Sequence, residues 1–342
     1  MVKNIKVVLL FGGRSEEHEV SIMSARSVME EINRDKYEII PVAIDKRGFW
    51  HNLNQSMTVL KENKEKVPLK KGKIPESIIP FLKTNADVVF PILHGPYGED
   101  GKIQGFFETL DIPYVGSSVT TSALAMDKAF MKQLLAHNNL PQTNYKIIYK
   151  KEYNNLTINQ IYNKYLLDFL FPIFIKPANL GSSIGISKIK TKENLKKGLK
   201  KAFSFDNKII IEEGVRGREI ECSVLGRSEI KASLPGEILP AKEFYDYQAK
   251  YEDKSTKLKV PAELDKNISK KIQNLAVKAF KIIDGDGMAR VDFFLDEKKN
   301  ILINEINTIP GFTQYSMYAR MWEATGIKYK NLIDRLIELA LS

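Results

Sequence analysis

Cysteine is nearly absent. Cys222 is the only one among 342 residues, so no internal disulfide can form and nothing in the composition calls for an oxidising compartment. No histidine lies near it in sequence, and a small core residue is the simpler reading of that position. Long apolar runs are missing too. None approaches the ~20 residues of a membrane-spanning helix, so no membrane insertion is expected and a cytoplasmic protein is. The apolar run at residues 5–11 is too short for a signal peptide, and it ends in Gly12-Gly13-Arg14-Ser15-Glu16-Glu17 rather than in a small-residue cleavage site. It reads as a buried first strand. The basic residues also lack aromatic company. A net charge of +10 suits a nucleic-acid partner, but the lysines sit in Glu-interleaved stretches such as 61–73 and 190–201, so no nucleic acid is expected.

What remains is ordinary globular material, 43% hydrophobic and 27% charged, and long enough for two or three domains. Its centre of organisation is a pair of alternating apolar runs, 290–295 and 301–306, around the polar turn 296–300. That pattern predicts an antiparallel hairpin. Residues two apart share a face of a strand, so Arg290 goes with Asp292 and Glu305 with Asn307. If the two faces coincide, two carboxylates, an amide oxygen and a guanidinium gather on one surface. Such a set can hold Mg²⁺, which takes a few hard protein oxygens and leaves other positions to water and phosphate. The arginine beside it can stabilise developing negative charge. From these four residues alone, a solvated hairpin face reads equally well.

In chain order, strand 5–11, Gly12-Gly13 and a helix to about residue 33 open a βαβ unit. The glycines lack the spacing of a dinucleotide fingerprint. Strands follow at 37–44 and 87–93, with the lysine-rich, proline-bearing stretch 46–83 between them expected to be irregular surface. The glycine-rich loop 94–101 falls where a parallel strand would end, the place where open α/β sheets bind ligands. His94 within it serves a site or a packed interior equally well. Helices are expected at 104–110, 118–126 and 129–138, and a short strand at 113–116. Residues 146–165 carry no clear pattern.

Residues 171–186 read as a strand, a polar glycine loop and a second strand. Free backbone N–H groups and hydroxyls there would suit an anion, with Lys176 at the base. The lysine precedes the glycines and no helix follows, so this is no Walker loop; a hairpin folding over a nucleotide fits better. A helix at 192–203, strands at 208–213 and 219–226, an aromatic loop at 240–253 suited to a lid, and helices at 266–283 and 331–341 complete the chain.

Six blocks in order, residues 12–21, 93–101, 126–128, 175–185, 244–251 and 304–311, resemble the D-alanine–D-alanine ligases of the ATP-grasp superfamily, and the likeness runs over essentially the whole chain. The resemblance implies an α/β fold of three domains: a Rossmann-like parallel-sheet domain at 1–125, a central one at 126–215 and a carboxy-terminal one at 216–342 with an ω-loop at about 240–258. The last two would clamp ATP between antiparallel sheets. It implies a cytoplasmic homodimer that joins two D-alanine molecules through a D-alanyl phosphate for peptidoglycan precursors, using ATP and two Mg²⁺ ions, with Mn²⁺ able to substitute. D-alanine–D-lactate or D-alanine–D-serine ligation, or another ATP-grasp carboxylate–amine ligase, is the alternative.

Residue by residue, the resemblance places Lys128, Lys176 and Ser183 at the ATP phosphates, Glu212 and Glu213 at the adenine hinge, and Glu219 at the ribose. Asp292, Glu305 and Asn307 match metal ligands, while Arg290 and the Gly311 N–H match oxyanion stabilisers. Glu17 corresponds to the anchor of the first substrate's ammonium, linked to Ser182 and Tyr251, with His94 near that subsite. Lys250 and Ser316 would hold the second substrate's carboxylate. Position 213 carries Glu where members often carry Lys, so a hinge contact there would rest on the backbone.

Overall fold

The computed structural model describes residues 4–69, 77–239 and 257–342. The described residues form three sheets in sequence. The first is parallel, in the order β2-β1-β3, from β1 (Ile5–Gly12), β2 (Tyr37–Ile44) and β3 (Val88–Ile92). Its strands are buried on both faces, which is why they read as unbroken apolar runs. Helix α1 (His18–Glu31) packs on one face. The 46–83 stretch departs from the expectation of irregular surface: α2 (Leu53–Lys61) and α3 (Ile78–Asn85) form there. Val59, Leu60, Ile78 and Leu82 are buried against the sheet, and tertiary burial outweighs the lysines and prolines that obscure the period. The residues between, 70–76, lie outside the described part. Helices α4 (Lys102–Thr109) and α5 (Val119–Met126) follow. The strand anticipated at 113–116 is a single parallel bridge, Tyr114 to Val89.

Helix α6 (Lys128–His137) begins at Asp127, whose carboxylate accepts from the N–H groups of Ala129 and Phe130, both 3.1 Å. The second sheet is antiparallel, in the order β4-β7-β5-β6. Its strands are β4 (Tyr145–Tyr149), β5 (Ile173–Pro177), β6 (Ser187–Ile189) and β7 (Lys208–Glu213). Helices α7 (Lys150–Asn155) and α8 (Ile158–Tyr165) fill the stretch that carries no clear pattern, and α9 (Leu195–Ala202) covers the sheet with Leu195 and Leu199.

The third sheet, also antiparallel, runs β11-β10-β8-β12-β13 with β9 at the side of β8. Its strands are β8 (Gly217–Gly226), β9 (Lys231–Ala232), β10 (Gly236–Leu239), β11 (Lys257–Lys259), β12 (Gly287–Asp296) and β13 (Ile301–Asn307). Helix α10 (Lys266–Ile282) buries Ile272, Ala276, Ala279 and Phe280 against it. The last two helices, α11 (Met317–Ala324) and α12 (Tyr329–Leu341), turn back to the first sheet: Tyr318, Trp322, Leu332 and Leu336 share one core with Val7, Leu9 and Phe90. Helix α6 contributes Met131 and Leu135 to the third sheet's core and Ala129 to a small cluster with Ile210 of β7, so it joins the two antiparallel sheets. No helix of the described residues is long and apolar enough to cross a membrane.

Candidate active site

The expected hairpin forms, and its two polar faces coincide. Arg290 pairs with Asn307 and Asp292 with Glu305 across β12 and β13. The register then shifts: Phe293 faces Ile303, which leaves Asn304 as the extra residue of a bulge. A bulge interrupts strict alternation, so the neighbours Asn304 and Glu305 both line the same cavity. Alternation alone sends Asn304 to the opposite face, which is why sequence reading passes over it.

Charges on this face are paired. The Arg290 guanidinium grips Asp292 through two bonds, Nε to Oδ1 and a terminal nitrogen to Oδ2, each 2.7 Å, the strong fork geometry of arginine and carboxylate. Its Nε also lies 3.1 Å from Glu221 on β8, a carboxylate the sequence gives no reason to single out. The Asn307 side-chain amide donates to Asp292 at 2.9 Å. Lys128 reaches Glu305 at 3.4 Å and donates to the Leu180 carbonyl at 2.8 Å.

Between the second and third sheets lies a cavity of about 620 Å³. It brings together nine of the anticipated residues: Lys128, Lys176, Ser182, Ser183, Glu212, Glu213, Glu219, Asp292 and Glu305. Apolar walls come from Phe174, Val215, Ile238, Phe293 and others, so the cavity combines apolar lining with charged groups. Lys176 donates to the Asn304 amide oxygen at 3.3 Å and pairs with Glu212. Glu212 is buried, and its other oxygen meets Lys132 of α6 at 2.6 Å. Burial alone would raise the Glu212 pKa, but the two lysines hold it down to about 2. Lys132 sits wholly inside and carries no sequence signal. Glu213 spends its side chain on the framework, accepting from the Asn144 amide at 2.8 Å and the Leu170 N–H at 3.0 Å.

The loop between β5 and β6 holds Ser182, Ser183 and Gly185 at φ of 50, 58 and 74°, left-handed conformations that are costly for serine. The Ser182 hydroxyl is buried and finds no hydrogen-bond partner among the described residues. Glu17 comes to this loop from the start of α1: a Cβ built on Gly181 would stand 3.6 Å from its Oε2, and one on Gly95 only 2.6 Å. Glycine at both positions lets backbone pass beside the carboxylate.

His94 is fully enclosed. Its Nδ1 donates to the Ile309 carbonyl at 2.8 Å, since a carbonyl can only accept, and its Nε2 faces the Ser24 hydroxyl at 3.1 Å. Ser24 in turn accepts from the Phe312 N–H at 3.2 Å. Burial lowers the His94 pKa and keeps the ring neutral. The chain of bonds ties the loop bearing Gly311 to α1. Glu99 ties the same loop to residues 94–101, accepting from the Gly95 N–H at 2.7 Å and the Ile309 N–H at 2.9 Å. Gly311 and Ser316 adjoin each other: a Cβ on the glycine would lie 3.5 Å from the serine Oγ. That Oγ accepts from the Thr313 N–H at 3.0 Å. Lys250 and Tyr251, with the rest of the anticipated ω-loop up to residue 256, lie outside the described residues.

Whether Asp292, Glu305 and Asn307 suit a metal follows from their donors. Among the described residues no three His, Cys, Asp or Glu side chains converge as a cage. Two carboxylates and an amide are hard oxygen donors that leave most of an octahedron to other oxygens, as Mg²⁺ prefers. Both carboxylates also pair with cations, Arg290 and Lys128, so a metal ion would share these oxygens with them. The residues fit the ion.

Comparison with known proteins identifies the family. Family models described as D-ala D-ala ligase N-terminus and D-ala D-ala ligase C-terminus match residues 6–117 and 134–338. A D-alanine–D-alanine ligase of Halothermothrix orenii is 53% identical over 341 residues, 99% of each chain. One of Caldicellulosiruptor bescii is 46% identical, over 98% of this chain and 95% of its own. Among solved structures, a D-alanine–D-alanine ligase from Coxiella burnetii superposes with a TM-score of 0.84 at 37% identity, over 99% of this chain and 94% of the other. The VanG D-Ala:D-Ser ligase from Enterococcus faecalis gives 0.84 at 34% identity, over 99% and 100%. With two family models along its length and relatives that match from end to end, the chain belongs to the D-alanine–D-alanine ligase family and has the ATP-grasp fold.

Proposed function

We propose that the protein joins two D-alanine molecules into D-alanyl-D-alanine at the expense of ATP, for peptidoglycan precursors. The observation that carries this is the convergence of Lys128, Lys176, Asp292 and Glu305 in one cavity that also has apolar walls. Adenine suits the slot beside Glu212 and Glu213, the ribose suits Glu219, and the phosphates suit the two lysines under the Ser182-Ser183 loop. Asp292, Glu305 and Asn307 would hold Mg²⁺, taken as two ions with Mn²⁺ as a substitute, which would spread the phosphate charge during transfer.

The first D-alanine would sit with its ammonium on Glu17. Its carboxylate oxygen attacks the γ-phosphorus, forming a D-alanyl phosphate while the bond to the β-phosphate oxygen breaks and ADP leaves. Lys128 and Lys176 offset charge on the transferring group. The second D-alanine, oriented through its carboxylate by Ser316 and Lys250, attacks the acyl carbon with its free amine. Arg290 and the Gly311 N–H would stabilise the oxyanion of that adduct. Collapse expels inorganic phosphate, and the former amine loses a proton as the amide forms. His94 and Glu99 support the first subsite indirectly, by holding the loop that carries Gly311.

Three further readings belong with this one. Domain boundaries near 125/126 and 215/216 follow the change of sheet, with α11 and α12 contributing to the first domain's core. The protein is cytoplasmic, and it is a homodimer, to be checked by sedimentation. The second substrate is D-alanine rather than D-lactate or D-serine, with Tyr251 as the deciding side chain.

The test is phosphate release from ATP and Mg²⁺ with D-alanine alone, then with D-serine or D-lactate in excess, with products identified by mass. Dipeptide from D-alanine alone is expected. A product formed only with D-serine would move the chain to the other branch; no D-alanine-dependent release would overturn the proposal.

A further inference from the structure

Lys132 has no part in the chemistry above, yet it is among the most completely buried side chains in the protein, 1% exposed. Burying an ammonium is expensive unless it is paired. Its Nζ lies 2.6 Å from Glu212 Oε1 and donates to the Thr143 hydroxyl at 3.2 Å. The second Glu212 oxygen pairs with Lys176. One carboxylate thus lies between two ammonium groups, and only one of them, Lys176, opens onto the cavity.

Charge arithmetic gives this arrangement a purpose. Glu212 with Lys176 alone would be neutral, and the lysine's charge would be spent inside the protein. With Lys132 added, the group carries a net single positive charge, and Lys176 is where the cavity meets it. Helix geometry makes the addition possible. Lys128 and Lys132 stand one turn apart on α6 and share a face, so Lys128 reaches Glu305 while Lys132 passes behind β7 to Glu212. Met131 and Leu135 fasten the helix to the third sheet.

We infer that Lys132 is a positioning residue for nucleotide phosphates: it neutralises Glu212 from behind, so that Lys176 presents its charge to the anion while Glu212 holds it in place. The inference rests on the reading of the cavity as an ATP site. It makes an unusual demand. Removing Lys132 alone should weaken phosphate binding, and removing Glu212's charge as well should restore it.

The experiment measures dissociation constants for ADP and for adenosine by calorimetry and takes their ratio, which cancels changes at the adenine slot. In Lys132→Met the preference for ADP should fall by about tenfold or more, the scale of losing one net charge from the group that faces the phosphates, at an intermediate dielectric. In the double variant Lys132→Met with Glu212→Gln, two charges leave together, and the preference should return to within about threefold of the wild type. A purely structural Lys132 would weaken both ligands alike in the single variant, leaving the ratio unchanged, and that result overturns the inference. Should the single variant fail to fold, the double variant, which buries no unmatched charge, still decides: a preference well below wild type refutes the charge balance. Failure of the ATP reading itself would look different, since wild-type protein would then show no preference for ADP over adenosine at all.

Discussion

At the scale of single residues, several charges of the site are held by a named partner, among them Asp292, Glu305 and Glu212, and the consequences of removing one can be stated. Glu305 faces Lys128 and stands opposite Asp292 on the paired strand. If Glu305 holds Mg²⁺ as proposed, Glu305→Gln should lower kcat by about a hundredfold or more while the ADP dissociation constant stays within about threefold, because the change would remove a metal ligand and leave the base contacts in place. Single-turnover phosphate release beside ADP titration separates the two; near-normal kcat at saturating Mg²⁺ would count against the metal assignment. Glu99 supplies a pH prediction. Burial, with Glu17 close by, pushes its carboxyl up to about 8 from an ordinary 4.5. The folded state therefore binds this proton more tightly than the unfolded chain does. Stability from this source is present below the unfolded value and is lost as the pH climbs through about 8, by up to a few kcal/mol. Urea unfolding of Glu99→Gln between about pH 5 and about pH 9 should show a shallower decline than wild type. Parallel curves would mean that Glu99 ionises freely.

At the scale of elements, the hairpin β12–β13 and the β5–β6 loop decide the site. Gly185 in that loop has φ of +74°, and a Cβ there would meet Pro177 Cγ at 2.7 Å and Phe205 Cδ2 at 2.9 Å. Gly185→Ala should cost about 1–3 kcal/mol and raise the KM for ATP, since Ser182 and Ser183 take their conformation from the same turn. Equilibrium unfolding and steady-state kinetics check both, and unchanged values would show that the loop has room to relax. The hairpin was legible in the sequence because each strand alternates and the turn between them is polar. The bulge at Asn304 was not, since one extra residue leaves the composition of a strand unaltered. Helices α2 and α3 were hidden for another reason. Their apolar positions are few, and it is the sheet beneath them that selects helix over loop.

At the scale of the whole molecule, the carboxy-terminal helices close the first sheet. Leu332 and Leu336 are buried in the same core as Val7 and Phe90, although the strands and helices lie at opposite ends of the chain. Leu332→Ala should therefore destabilise by about 2–5 kcal/mol and speed amide exchange in β1 and β3, not only in α12. Exchange confined to α12 would show that the helix is an appendage.

The sequence by itself determined the class of fold, the hairpin with its four polar residues, and the order of six family blocks, because alternation, glycine turns and motif spacing are local properties. Tertiary structure decided what depends on distance between remote segments: the pairing of Arg290 with Glu221, the enclosure of His94 between Ser24 and Ile309, and the two lysines on Glu212. Between Lys132 and Glu212 the chain runs through β4, α7, α8, β5, β6 and α9, and no local pattern records that their charges meet. Burial makes that meeting consequential, since a charge inside a protein must be answered by a partner that folding alone brings to it.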